Sequence, residues 1–149
     1  HAQTTLHTNP DLTDFRNKWK SAVSYKRYIP SKKNLKALKK AFGKNALFLL
    51  DKNTNSGAIF LLSGNKAYYY HAFTDGAGRK NFTQFKIVWQ GILWAKKNKA
   101  KVFDFEGVYD ERFPNPGWHG FTHFKKGFGG NVVTHPASLK KYYWRNLFY

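Results

Sequence analysis

Apolar and polar positions follow helical spacing at the start of this chain and strand spacing in its middle. From Asp11 to Ser24, Leu12, Phe15, Trp19, Ala22 and Val23 form one stripe with basic residues opposite, and Pro10 stands at the entrance, so the pattern predicts an amphipathic helix. Ile29-Pro30-Ser31 breaks it. Ser31 is a good N-cap for a second helix carrying Leu35, Leu38 and Phe42 inward, and Gly43 is a good stop. Two compact apolar runs follow, Ala46–Asp51 and Gly57–Leu62, joined by the turn-like Lys52–Ser56. Ser63-Gly64-Asn65 then makes a tight hairpin into Lys66–Phe73, on which the alternate residues Tyr68 and Tyr70 share a face. A Gly-containing loop, 74–80, leads to a helix from Asn81 to about Asn98. Its inward stripe is expected to be Phe82, Phe85, Trp89, Ile92 and Leu93, with Lys86, Gln90 and Lys97 away from it.

The remaining elements are shorter. Lys101–Glu106 reads as a strand, Trp118–Gly127 as a short helix, Asn131–Thr134 as a strand and Ala137–Leu147 as a closing helix. Residues His1–Thr8 are polar and irregular and are expected to fray unless a neighbour holds them. The order is β-β-β-α-β-α-β behind two helices, which predicts a mixed α/β domain whose central sheet is mainly antiparallel and flanked by helices. The expected organisation is one domain over 1–149: a helical part to residue 45, a sheet-helix core over 46–136 and a terminal helix over 137–149.

Residues 103–130, FDFEGVYDERFPNPGWHGFTHFKKGFGG, concentrate the candidate chemistry. Asp104 and Glu106 are two apart at a strand end and so are expected to share one face, with Asp110 and Glu111 in the next turn and Gly107 marking the stop. Pro114-Asn115-Pro116-Gly117 can be neither regular helix nor central strand. On the following helix Trp118, Phe121, Lys125 and Phe128 fall on one apolar stripe, whereas Lys126 points away. A lysine so placed either snorkels its ammonium to the edge or holds it in a cleft, where it can balance developing negative charge.

The run DFEGVYD followed by GFTHFKKGFGG resembles the carboxy-terminal signature of the Fem family (FemA, FemB, FemX), a D-F-x-G-[IV] strand end before a G-[LF]-x-x-F-K-x-x-F-G-G helix. Tyr68–Ala72, the helix with Trp89, Ile92 and Ala95, and Asn131–Pro136 occur in the order that family shows, so the resemblance covers roughly residues 46–143. It implies a GNAT-like domain, one of two in such enzymes. It also implies transfer of an aminoacyl group from aminoacyl-tRNA to an amine of a peptidoglycan precursor peptide. The family's channel lysine corresponds to Lys125, with Phe124 beside it, and the resemblance points to one of Tyr68 and Tyr70 as lining a substrate channel; Asp104 and Glu106, at the strand end, are candidate substrate contacts or a general base. A second GNAT-like domain or chain is an expected partner, and no cofactor or metal is implied.

Acetyltransferases of the GNAT fold hold coenzyme A on a [QR]-x-x-G-x-[GA] loop. Gly76 and Gly78 fit its glycines and Arg79 and Lys80 add charge, giving a possible phosphate-binding loop. Phe73 stands where Gln or Arg should be, which makes coenzyme A the weaker alternative to an aminoacyl-tRNA donor.

Composition narrows this further. At 149 residues, 42% hydrophobic and 19% aromatic, the chain can build one substantial core. No apolar run approaches the ~20 residues of a membrane helix and no signal-peptide pattern is present, so a soluble protein is expected. The absence of cysteine excludes disulfides, zinc thiolates and cysteine nucleophiles and fits the cytoplasm, where the inner membrane surface is one place to work. A start at His1 without any methionine is what an excised piece or one component of a larger assembly would show.

The net charge of +18 favours polyanionic partners, although a lysine-rich surface without function accounts for it equally well on composition alone. The second helix shows both readings, since Lys32, Lys33, Lys36, Lys39 and Lys40 on its outer side can track phosphates or simply be solvated. Other chemistry fares worse. His71, His119, His123 and His135 lack metal-site spacing beyond the i, i+4 pair 119/123, no G-x-S-x-G elbow exists, and a glycosidase carboxylate pair needs a cleft. A coenzyme A-dependent N-acyltransferase and a non-catalytic tRNA-binding module remain as alternatives.

Overall fold

The computed structural model describes residues 5–23 and 27–136, which belong to two compact units, 1–107 and 108–149. The closing helix expected over 137–147 lies outside the described residues.

The first unit is a five-stranded sheet in the order β1-β2-β3-β4-β5, with β1 at Leu6–Thr8, β2 at Ala46–Asp51, β3 at Gly57–Ser63, β4 at Lys66–Phe73 and β5 at Val102–Asp104. All neighbours run antiparallel except β4 and β5, which are parallel. The helices α1 (Leu12–Ala22) and α2 (Lys32–Phe42) precede β2. Asp11 caps α1 by accepting from the N–H groups of Thr13 and Asp14, and Ser31 caps α2 through Asn34 N. Each such cap is worth about 1 kcal/mol. Phe15, Trp19 and Leu35 from these helices pack with Phe48, Leu50, Ile59, Leu61 and Phe73 of the sheet. Trp19 stacks on Phe73 at 5.1 Å and meets His71 edge-on at 5.3 Å. The Lys18 ammonium fastens α1 to the β2–β3 turn by donating to the carbonyls of Asp51, Lys52 and Thr54.

The opposite layer contains α4 (Thr83–Lys97), which buries a side other than the expected one. Gln84, Ile87, Val88, Gly91 and Ala95 face the sheet, while Phe82 and Trp89 are 67% and 54% exposed and Phe85 and Leu93 also lie outside. Two apolar stripes occupy opposite sides of this helix, and close approach decides between them: a Cβ on Gly91 would run into the ring of Phe60. Only the stripe containing that glycine lets the helix axis come down onto the sheet.

Other expectations also change. For Leu6–Thr8 a neighbour does the holding: it pairs with Leu49–Asp51, whose backbone would otherwise be an open edge. The loop 74–80 contains a short helix, α3 (Gly76–Lys80). The strand foreseen over 101–106 shortens to Val102–Asp104, because Glu106 has a φ of +60° and donates its N–H to Asp104 Oδ1. Asp104 and Glu106 therefore do not share a strand face. Residues 131–134 form no strand, and Val132 and Val133 are exposed.

In the second unit a 3-10 turn at Pro116–Trp118 leads into α5 (His119–Lys126). Gly129 and Gly130, at φ of +77° and +97°, carry the chain away in a conformation that side-chain-bearing residues avoid.

Candidate functional site

In the first unit the site candidates gather where β4 and β5 stop pairing. Their parallel register runs Lys66↔Val102, Ala67↔Phe103 and Tyr68↔Asp104 and goes no further, although β4 continues to Phe73. Such strand ends are where α/β sheets place ligands. On the other side of β4 the register with β3 slips between Ile59 and Phe60, which pair with His71 and Tyr69, leaving Tyr70 as the extra residue of a bulge. Neighbouring side chains on a strand normally point to opposite faces, yet the rings of Tyr70 and His71 are 4.3 Å apart. The bulge thus brings His71, the partner of Ile59, onto the face that Tyr68 shares with its partner Leu61 and sets it against Tyr70, and both tyrosines are partly open to solvent.

In the sequence His71 figures only in the run YYYHA and among the histidines without metal-site spacing, and neither marks it as a functional residue. Half-buried against Trp19, its imidazole is held below its ordinary pKa by desolvation and is neutral at physiological pH. Tyr69, on the opposite face, is a core residue: its hydroxyl accepts from Gln84 Nε2 at 2.7 Å, and burial raises its pKa well above the ordinary phenol value against the lowering effect of that bond. Asp104 lies 3.5 Å from Lys66 Nζ, with the two side chains 35% and 41% exposed, so the ion pair adds little to stability. The Lys66 ammonium also stands 5.6 Å from the Tyr68 ring centre. Glu106 is exposed.

The possible phosphate loop has its own anion. Asp75 caps α3, its Oδ1 accepting from Gly78 N at 2.7 Å and its Oδ2 from Asn55 N at 3.1 Å. Burial pushes this carboxyl up, but those N–H donors outweigh it and hold the group below the ordinary carboxylate value. The amide of Gly78 is thereby engaged, and the space over Gly78 is filled by the hydroxyls of Ser56 and Thr74. Gly76 is open, Arg79 donates to Thr74 O, and Lys80 is exposed.

In the second unit Lys125 and Lys126 differ as the stripe predicts: Lys126 is exposed, whereas Lys125 is half-buried with its ammonium 5.0 Å from the Phe121 ring centre. Phe121, Phe124 and Phe128 are half-buried, and Phe124 meets Phe128 at 5.3 Å. The most enclosed residue of α5 is Thr122, whose hydroxyl accepts from Tyr109 N, so the stripe itself is not the interior of this unit. Trp118, at its start, is 41% exposed. A depression of about 720 Å³ lies between Val108, Arg112, Phe113 and Trp118, and Lys125 does not line it. At its edge Arg112 grips both oxygens of Asp110, holding that carboxyl below its usual range, and donates to His135 O. Among the described residues no group of three or more His, Asp or Glu is placed to hold a metal ion, and no helix is long and apolar enough to cross a membrane.

The profile of the FemAB family matches residues 3–149. The chain belongs to the FemAB family. A curated relative, the lipid II:glycine glycyltransferase of Staphylococcus haemolyticus, is 24% identical over 144 residues, covering 83% of this chain. The FemAB chain described here spans about a third (34%) of that protein's length. Its fold is that of acetyltransferases of the GNAT type. An acetyltransferase of Trypanosoma brucei superposes with a TM-score of 0.67 at 7% identity, covering 93% of this chain and 100% of the other. An aminoglycoside acetyltransferase from an uncultured soil metagenomic sample, solved with sisomicin, gives 0.63 at 15% identity, covering 93% and 97%. At those identities the likeness concerns the fold alone.

Proposed function

We propose that this FemAB chain is part of an aminoacyltransferase that moves an amino acid from aminoacyl-tRNA to an amine of a peptidoglycan precursor. Within the structure, the observation that carries the reading is the posture of Lys125, half-buried with its ammonium 5.0 Å from the Phe121 ring centre while its neighbour Lys126 is exposed. The family match and the glycyltransferase relative supply the reaction class.

The chemistry has few parts. A neutral amine attacks the ester carbonyl, a tetrahedral oxyanion forms, and the amide is completed as the ribose hydroxyl leaves. The amine must shed a proton, and the hydroxyl must gain one. Lys125 is assigned to the oxyanion, where one preorganised donor is typically worth about 3–4 kcal/mol. Phe124, Tyr68, Tyr70, Asp104 and Glu106 are assigned to substrate contacts. His71, beside Tyr70 on β4 with its pKa lowered by desolvation, is assigned to take up the proton that the amine sheds.

The test is transfer of a radiolabelled aminoacyl group from charged tRNA to the precursor by the full-length polypeptide. Ribonuclease treatment should abolish product formation, and transfer that survives it would overturn the tRNA donor. The fold likeness favours one second reading, an acyl-CoA-dependent N-acyltransferase. That reading requires acetyl-CoA at millimolar concentration to raise the unfolding temperature, as any ligand of the folded state does. The engagement of the Gly78 N–H by Asp75 supports the expectation of no shift.

A further inference from the structure

The strongest unused feature is the outer side of α2. Between Asp14 and Asp51 the sequence has eleven Lys or Arg residues and no Asp or Glu. The structure sorts those on α2. Leu35 is buried, Leu38 and Phe42 pack half-buried beside it, and Lys39 lies over the Phe48 ring at 5.8 Å. Lys32 donates to the Thr13 hydroxyl. Lys33, Lys36 and Lys40 remain exposed in a row at i, i+3 and i+7, and Lys44 in the following 3-10 turn is exposed too. At 1.5 Å per residue the helical part of this row is about 10 Å long. Among the described residues no carboxylate is within ion-pair distance of these four lysines.

Such a row is electrostatically unfavourable by itself. Lysines one turn apart repel by roughly 0.2–0.5 kcal/mol per pair, and Lys32 and Lys33 occupy the first turn, where the helix dipole disfavours cations. A linear polyanion lying along the row removes both penalties. No large apolar side chain is exposed on α2, so the face has nothing to insert among lipid tails, whereas closely spaced phosphates need only the lysines.

We propose that Lys33, Lys36, Lys40 and Lys44 form a docking surface for the phosphate backbone of RNA. The proposal deepens the aminoacyl-tRNA reading by naming where the donor's backbone would be held. It can be tested without transfer.

The experiment compares the full-length polypeptide with two quadruple variants of equal charge. One replaces Lys33, Lys36, Lys40 and Lys44 by Gln; the other replaces Lys52, Lys96, Lys97 and Lys101 by Gln, all exposed and all on other elements. Binding of uncharged tRNA is measured from 50 to 200 mM salt. Each phosphate contact contributes roughly 0.9 to the slope of log K against log salt, so the α2 variant should lose about 3 units of slope and bind at least about tenfold more weakly, with little change in the control. Its unfolding temperature should stay level or rise, since repulsion is relieved, which separates lost docking from lost folding.

Equal losses in the two variants would overturn the proposal by showing diffuse attraction. So would undiminished or absent tRNA binding. A loss confined to binding of anionic phosphatidylglycerol vesicles would assign the face to a membrane instead. If the α2 variant loses tRNA while the parent protein transfers nothing, the docking surface stands and the transferase reading fails. If the variant transfers normally, the docking surface alone fails.

Discussion

Replacing Gly78 by alanine separates packing from local propensity. Gly78 sits in α3 with an ordinary helical φ, so alanine is conformationally favoured there and on propensity alone should stabilise by up to about 1 kcal/mol. The surroundings argue otherwise. A Cβ would enter the space held by Ser56 Oγ and Thr74 Oγ1, which are 2.9 Å apart. Those hydroxyls belong to a chain that ends on the buried carboxylate of Asp51, with Thr54 Oγ1 at 2.8 Å from Asp51 Oδ2 and Ser56 Oγ at 2.9 Å from Thr54 Oγ1. Thr54 Oγ1 donates to Asp51 Oδ2 and reaches Ser56 Oγ as well, and Ser56 Oγ in turn meets Thr74 Oγ1, so the four side chains form one network. Prising Ser56 from Thr74 breaks a link worth about 1 kcal/mol, and overpacking adds about 1–3 kcal/mol. After the propensity gain the net cost is about 1–3 kcal/mol, or roughly 2–12 °C in unfolding temperature at ~2–4 °C per kcal/mol. Denaturant unfolding followed by circular dichroism reads it, with an unchanged m value as the check on two-state behaviour. Gly76→Ala is the control, since the nearest atom is Arg79 Nη2 at 4.0 Å, and should be neutral or slightly stabilising. Adding Ser56→Ala to Gly78→Ala makes room for the new methyl, so the double variant should lose less than the sum of the singles. A neutral or stabilising Gly78→Ala would refute the packing role.

Two further outcomes follow from buried polar groups. Tyr69→Phe leaves the Gln84 amide without its partner and should cost about 1–3 kcal/mol in chemical denaturation, while the double variant Tyr69→Phe/Gln84→Leu should recover most of it; a harmless single variant would show the bond to be dispensable. His71 has a folded pKa below its unfolded value, so the unfolded chain binds the extra proton as pH falls. Its contribution to stability is complete above about pH 6.5 and is lost as pH drops toward the lowered folded pKa, so His71→Phe should flatten the unfolding profile in that window.

Much of the first unit was legible because local signals agreed there. Ser31 and Gly43 bracket α2, and strands β2, β3 and β4 lie where the apolar runs and the Ser63-Gly64-Asn65 turn placed them. The sequence misled where two local signals competed. On α4 the aromatic stripe looked the stronger, but bulk is not what selects a packed face; the glycine that admits Phe60 does. β1 has no pattern of its own and exists because β2 offers it a partner. The early end of β5 comes from a side chain, Asp104, capturing the Glu106 N–H. Of the site, the contrast between Lys125 and Lys126 was readable from periodicity, whereas the bulge at Tyr70, which turns His71 and Tyr70 together, comes from strand pairing that no local pattern encodes.

The account's central claim is that the Lys125 ammonium balances the charge of the transition state. Turnover of aminoacyl transfer by Lys125→Met and Lys126→Met, each compared with the parent polypeptide at saturating substrates, tests it most directly. The account predicts that Lys125→Met loses about 10²–10³-fold in kcat with its unfolding temperature unchanged, while Lys126→Met stays within about twofold. A folded Lys125→Met variant that turns over at the parent rate would contradict it.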